Sequence, residues 1–172
     1  MTRYSFSALA AFSLVLVGLA SISHAEEAPA SAADLQFAQI ASWQGRWKVA
    51  ETEALEIVFE STARGKTIVE RWETGSGLHS ITVYHLDGDR VVATHYCPQG
   101  NQPRLEAVAG GDDEIAFTFR DVTDLDEGES HTYSLRFKAN SDGSLVRTEV
   151  YKGAEGIGDP SSYTLVRATK GG

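Results

Sequence analysis

The chain has 172 residues, with 15 Lys and Arg against 24 Asp and Glu and a formal net charge of −9 at pH 7. It contains no run of five or more basic residues, which argues against a nucleic-acid surface and against docking on anionic lipid, since both draw on clustered positive charge. Cys97 is the one cysteine, so an intramolecular disulfide is excluded.

Residues 1–25 read as a secretory signal peptide. Arg3 supplies a positive start, Phe6 to Ala20 is almost unbroken in apolar or small residues, and Ser23-His24-Ala25 ends in a small-x-small pattern. The run is short for a retained membrane span, and no cysteine stands at the cleavage point to take a lipid. Cleavage after Ala25 would release Glu26–Gly172 to the periplasm or beyond, with no stable membrane insertion. All 24 acidic residues lie in that part of the chain.

Residues 26–33, EEAPASAA, read as a flexible leader, and 34–172 as a single domain. Asp34 is the expected N-cap of a short helix, LQFAQIASW, with Leu35, Ala38 and Ile40 or Ala41 on one side. After WQGRWKVAE the helical period gives way to a period of two. Strands are expected at 46–51, 54–60, 66–73, 78–86, 90–97, 104–109, 114–120, 131–139, 144–151 and 162–168, separated by Gly- and Asp-rich turns. Ile115, Phe117 and Phe119 alternate with Glu114, Thr118 and Arg120, and Tyr133, Leu135 and Phe137 with Thr132, Ser134 and Arg136. Such strands have one packed and one wet face. About ten short antiparallel strands joined by tight hairpins predict an all-β, up-and-down closed barrel rather than a sandwich, because closure removes the exposed edges.

The segment HSITVYHLDGDRVVATHYCPQGNQPR, 79–104, holds three of the five histidines and Cys97. A three-residue loop Leu86-Asp87-Gly88 would pair Val83 with Val91 and His79 with His95, gathering Ile81, Val83, Val91 and Ala93 into one apolar patch. It would also turn His79, His95 and Cys97 inward together. A two-residue Asp87-Gly88 turn would instead split them across the sheet. Three readings of the cluster stay open. The groups are satisfied polar members of the interior; or, with Trp72, they line a pocket for a small apolar or amphipathic ligand; or His79, His95 and Cys97 hold a metal or haem. In the loop that follows, Asn101 and Arg104 are candidates to orient a ligand's polar head at the barrel mouth.

On 145–151, Arg147 and Glu149 are expected to point outward, with Val146, Thr148 and Val150 inward; Glu70 falls among apolar neighbours. The acidic stretch DVTDLDEGES lacks a full calcium-loop pattern, and KGAEGIGDPSS lacks the strand–helix context of a phosphate loop. There is no Gly-x-Ser-x-Gly elbow, and Cys97 before Pro98 lacks a helix N-terminus to activate it. No catalytic residue is therefore assigned, and a hydrolase or isomerase-like enzyme stands only as an alternative. Monomer and homodimer are both compatible with the sequence.

The short N-terminal helix, the Gly45-Arg46-Trp47 of WQGRW and the final YTLVRAT resemble the lipocalin-like, or calycin, superfamily. The resemblance implies that a late basic residue closes over the first-strand tryptophan: Arg167 over Trp47, with Lys170 as runner-up. TVYHLDGDR and THYCPQGNQPR look like a group of small exported bacterial β-barrel proteins whose function is unassigned. Haem-binding, nitrobindin-like relatives of this barrel place a proximal histidine late in the chain, and this sequence has no histidine after His131.

Overall fold

A computed structural model describes residues 29–108 and 113–168. The expected signal peptide, residues 26–28 of the leader and Lys170 lie outside the described residues, and the leader's last two residues, Ala32 and Ala33, belong to the helix. The first element is α1, Ala32–Ser42. Its N-cap is Ser31 rather than Asp34. The Ser31 side chain accepts from the Asp34 backbone N–H, and the Asp34 carboxylate accepts in return from the Ser31 N–H at 3.0 Å. Asp34 thus serves as the acidic third helical residue of a capping box, one turn inside the position expected for it. The buried face is Ala33, Phe37 and Ile40, while Leu35 is 62% exposed. Beginning the helix three residues earlier does not change its phase; the apolar stripe simply follows Phe37, whose larger ring is the stronger anchor.

The strands are β1 Gly45–Val49, β2 Thr52–Thr62, β3 Thr67–Thr74, β4 Gly77–Asp87, β5 Arg90–Tyr96, β6 Gln102–Val108, β7 Glu114–Thr123, β8 His131–Ala139, β9 Leu145–Gly153, β10 Gly156–Ile157 and β11 Ser161–Arg167. Successive strands from β1 to β9 pair antiparallel, β9 pairs with β11, and β11 returns to β1. Ten strands therefore form a closed antiparallel barrel, and the two-residue β10 only extends the end of β9. Closure leaves every long strand paired on both sides over at least part of its length, which is how an exposed meander avoids a sticky edge.

The end covered by α1 is sealed by aromatic packing. Trp43, at the helix C-cap, lies with its ring centroid 4.7 Å from Phe137 and 5.8 Å from Phe59. Trp47 is buried on β1 and donates from its indole N–H to the Trp43 carbonyl at 2.8 Å. The Arg167 guanidinium sits 4.4 Å over the Trp47 ring and donates to the carbonyls of Gln44 and Ser42, at 2.8 and 2.9 Å. One side chain thereby satisfies carbonyls that the helix end leaves orphaned and places a cation where the helix dipole is negative. Gly45 has φ 122°, and a Cβ there would meet Arg167 Nη1 at 3.3 Å, so this turn requires glycine.

Outside the barrel, Arg46, Glu56, Glu73, Arg71 and Glu60 form an ion-pair ladder across β1, β2 and β3. Exposed pairs of this kind add little stability individually. Among the described residues no helix is long and apolar enough to cross a membrane.

Replacing Arg167 with Ala should lower stability by about 1–2 kcal/mol through loss of the cation–π contact and two charge-assisted hydrogen bonds. Urea unfolding followed by tryptophan fluorescence checks this; Arg167→Lys, which lacks the planar fork, should recover only part of the loss.

Candidate functional site

The β4–β5 hairpin decides which side chains enter the barrel. Asp87 pairs with Arg90, Tyr84 with Ala93 and Thr82 with His95, so the loop is the two-residue Gly88-Asp89. This corrects the expected three-residue loop. Gly88 at φ 62° holds the first turn position, where the primed hairpin turns call for glycine. The even set of β4, Ser80, Thr82 and Tyr84, is buried, and the odd residues Ile81, Val83 and His85 belong to the outer face. Of the apolar patch anticipated for the interior, Ile81 and Val83 are thus on the wall's outside, while Val91 and Ala93 are buried in the core. The inward places on β4 are taken by hydroxyls, and those of Thr82 and Tyr84 have buried partners.

Those partners form a charged core. Glu70 on β3 is fully buried and accepts from the Trp72 indole N–H at 2.6 Å, from Arg147 Nε at 2.9 Å and from the Tyr84 hydroxyl. Arg147 on β9 is 1% exposed and donates from Nη1 to Glu149 at 2.6 Å. Its guanidinium lies 4.5 Å over Trp72 and 5.7 Å over Phe137. Arg147 and Glu149 therefore point inward, against the expected orientation. Alternation alone gave equal weight to both faces of β9; the carboxylate of Glu70, 77 residues away in the chain, selects one of them. Burial alone would lower the guanidinium's proton affinity, but the charges of Glu70 and Glu149 overcome this and hold it well above its ordinary value. Burial, followed by the Glu70 charge, pushes the Tyr84 phenol well up.

Above this core the barrel opens. A cavity of about 230 Å³ is lined by Trp72, His79, Ser80, His95, Pro98, Glu149, Tyr151 and Tyr163. Trp72 and Tyr163 meet edge to face at 5.3 Å. His95 is buried, with Nδ1 2.9 Å from the Thr82 hydroxyl, which fixes the ring's orientation. Burial pushes its imidazole down to about 4; the Arg147 charge adds to this, Glu149 opposes it and His79 adds a little more. Burial, then the Glu149 charge, pushes the Tyr151 phenol up to about 12 and raises Tyr163 in the same direction. Both phenols are therefore neutral donors at physiological pH.

The expected site residues separate into three groups. Trp72, His79 and His95 line the cavity. His79 reaches it by a different route from the one expected, because a bulge between Trp72 and Glu73 leaves it unpaired beside Ser80 at the rim. Bulges commonly redirect a side chain in this way. Cys97 is half-buried and free but does not line the cavity. Asn101 is buried as a loop brace, donating to Ser130 O at 3.0 Å and Glu129 at 3.2 Å. Arg104 lies on the outer face, paired with Asp121 at 2.5 Å. Neither Asn101 nor Arg104 reaches the cavity. Among the described residues no three His, Cys, Asp or Glu side chains converge to hold a metal ion, and His79, His95 and Cys97 do not form such a set. The cavity residues the sequence reading missed are Ser80, Pro98, Glu149, Tyr151 and Tyr163. The period of two already put Tyr151 with Glu149 on one face of β9, but the sign of that face was read wrongly.

Elsewhere the wall is less regular. Pairing between β7 and β8 stops at Thr118 and Ser134, and beyond it the rings of Phe119, His131 and Tyr133 stack in the widening seam. Asn101 Oδ1, His131 Nδ1 and Thr132 Oγ1 are buried there or nearby without a protein partner. Polar atoms left this way are commonly satisfied by ordered water.

The closed ten-strand barrel fits a lipocalin-like fold. The sequence matches no protein-family model, and no curated protein is significantly similar to it.

Two outcomes follow from the charged core. Arg147→Met leaves Glu70 and Glu149 buried together without a cation, and should cost about 3–5 kcal/mol in urea unfolding, whereas adding Glu70→Gln should restore part of it. The second concerns pH. The unfolded His95 imidazole titrates near 6.5 and the folded one near 4, so between these values the unfolded chain binds more protons. His95's contribution is therefore fully present above about pH 6.5 and declines as pH falls toward 4, by roughly 2–3 kcal/mol at most. Unfolding curves at pH 7 and 4.5 should show a smaller loss for His95→Gln than for the unsubstituted chain.

Proposed function

We propose that this chain is an exported, lipocalin-like binding protein that holds a small amphipathic molecule in the mouth of its barrel. One observation carries the reading. The 230 Å³ cavity brings the faces and edges of Trp72, Tyr151 and Tyr163 together with Ser80, His79, His95 and Glu149, above an interior otherwise filled by braced side chains. An apolar wall with a few placed polar groups is the general make-up of a small-molecule site. Rigid strands and the Glu70–Arg147–Glu149 brace hold those groups in place before a ligand arrives.

The cavity lies below the roughly 300–1,000 Å³ typical of pockets for drug-sized ligands. The occupant is accordingly compact, or leaves part of itself outside the mouth. A long lipid chain running down the barrel axis is not supported, since Phe59, Phe137, Tyr84 and Arg147 occupy that space. An enzymatic reading finds less support. Thr82 and His95 are hydrogen-bonded, but Thr82 is fully buried and does not line the cavity. Its hydroxyl orients the imidazole and is out of reach of a substrate.

Native mass spectrometry of the protein recovered from an exporting host, with denatured controls, tests the reading. A retained non-covalent organic mass is expected. Ser80→Phe, which fills the cavity, should abolish it, while Thr94→Phe on the opposite side of the wall should not. An unsubstituted chain that neither retains nor takes up any member of a panel of small amphiphiles would overturn the proposal.

A further inference from the structure

We infer that the molecule held in the mouth cavity is a small organic amine, bound as its cation, with the Glu149 carboxylate receiving the ammonium group and Trp72, Tyr151 and Tyr163 enclosing a short apolar body. The inference rests on the binding reading above and adds the sign of the ligand's charge.

The argument begins with where the charges lie. Among the described residues no lysine or arginine lines the cavity, and Glu149 is the one acidic side chain that does. Arg147, the cation nearest to hand, is buried beneath it with Nε committed to Glu70 and Nη1 to Glu149. A carboxylate ligand would therefore meet Glu149 before it met Arg147, and like charges at that spacing repel. The brace as a whole carries two carboxylates and one guanidinium, so it presents a net negative charge to the cavity. His95 does not offset this, since it is neutral at physiological pH.

Hydrogen-bond capacity agrees with the charge. Glu149 gives one oxygen to Arg147 Nη1, and among the described residues its other oxygen has no protein donor. The Ser80 hydroxyl and the hydroxyls of Tyr151 and Tyr163 stand around the same space. An ammonium group has three donors and no acceptor, which suits a lone carboxylate oxygen flanked by hydroxyls. The aromatic walls add attraction for a cation in a partly dry site. Arg104, a candidate on the sequence to orient a ligand's polar head, is on the outer face and paired with Asp121.

The test compares three probes with one body and different heads: phenethylamine, 2-phenylethanol and phenylacetate. Binding to the full chain is followed by calorimetry and by the fluorescence of Trp72, which lies against the cavity. Phenethylamine should bind about tenfold tighter than the alcohol, the size of effect one added charge-assisted hydrogen bond supplies, and phenylacetate should bind weakest. Glu149→Gln keeps an acceptor for Arg147 and should bring the amine's affinity down to that of the alcohol measured on the same variant. N-acetylated phenethylamine makes the same comparison from the ligand side and needs no variant; it should bind no better than the alcohol. Equal binding of amine, alcohol and carboxylate would overturn the cation assignment and leave the binding reading intact. Binding of none of them would overturn this inference, while the binding reading stands or falls by the retained mass and the panel of amphiphiles.

Discussion

The buried guanidinium of Arg147 is the constraint on which the interior of this barrel depends. A charge taken out of water must be met by charge and hydrogen bonds of matching geometry, and here Glu70 and Glu149 supply both. Meeting that requirement has consequences on several strands. Glu70 must face inward on β3, which turns Ile68 and Trp72 inward with it; Tyr84 must face inward on β4 to reach the same carboxylate. Trp72 is held by its own hydrogen bond to Glu70 and by the guanidinium against its face. Such a brace adds little net stability compared with a well-packed apolar core, but it rewards one arrangement of strands and penalises its alternatives.

The brace also divides the barrel into two ends of different character. Below it, aromatic rings and α1 close the space, with Arg167 tying the last strand to the helix end and to Trp47. Above it, the remaining room is small, partly polar and open to one side. The same Glu149 that pairs with Arg147 also lines that room, so the structural ion pair and the proposed recognition of a ligand would share one carboxylate. Neutral His95, oriented by Thr82, completes the wall and takes up its own proton only in acid.

Much of the candidate site was legible in the sequence, though not the way its parts assemble. Trp72 shares a face with Ile68 by alternation, and a tryptophan on a half-buried strand is an ordinary lumen residue. His95, by contrast, was turned inward on a three-residue loop and is buried through the two-residue one, opposite Thr82. His79 could be placed near them but not explained, because a bulge has no signature in a run such as Gly77-Leu78-His79-Ser80. Asn101 and Arg104 were drawn toward the mouth by their position after Cys97-Pro98, yet polar tips near a turn find whichever partner lies closest. For Asn101 this was the 129–130 segment, and for Arg104 it was Asp121 on the neighbouring strand. The polar residues Arg147 and Glu149 were assigned to solvent on the general ground that charges avoid interiors. That ground fails when three charges arrive from distant parts of the chain and satisfy one another.

By itself, the amino-acid order determined that this is an all-β chain, where ten of its strands run, and that a barrel rather than an open sheet results. Those properties follow from local period, turn chemistry and the need to close exposed edges, all readable within a few residues. Tertiary structure alone decided the hairpin register, the inward sense of β9 and the extent to which the lumen is filled. A single-residue change in loop length reverses every side chain on a strand, and two alternating faces of similar polarity give no local reason to prefer either. The preference comes from partners such as Glu70 and Arg147 that meet only once the barrel has closed.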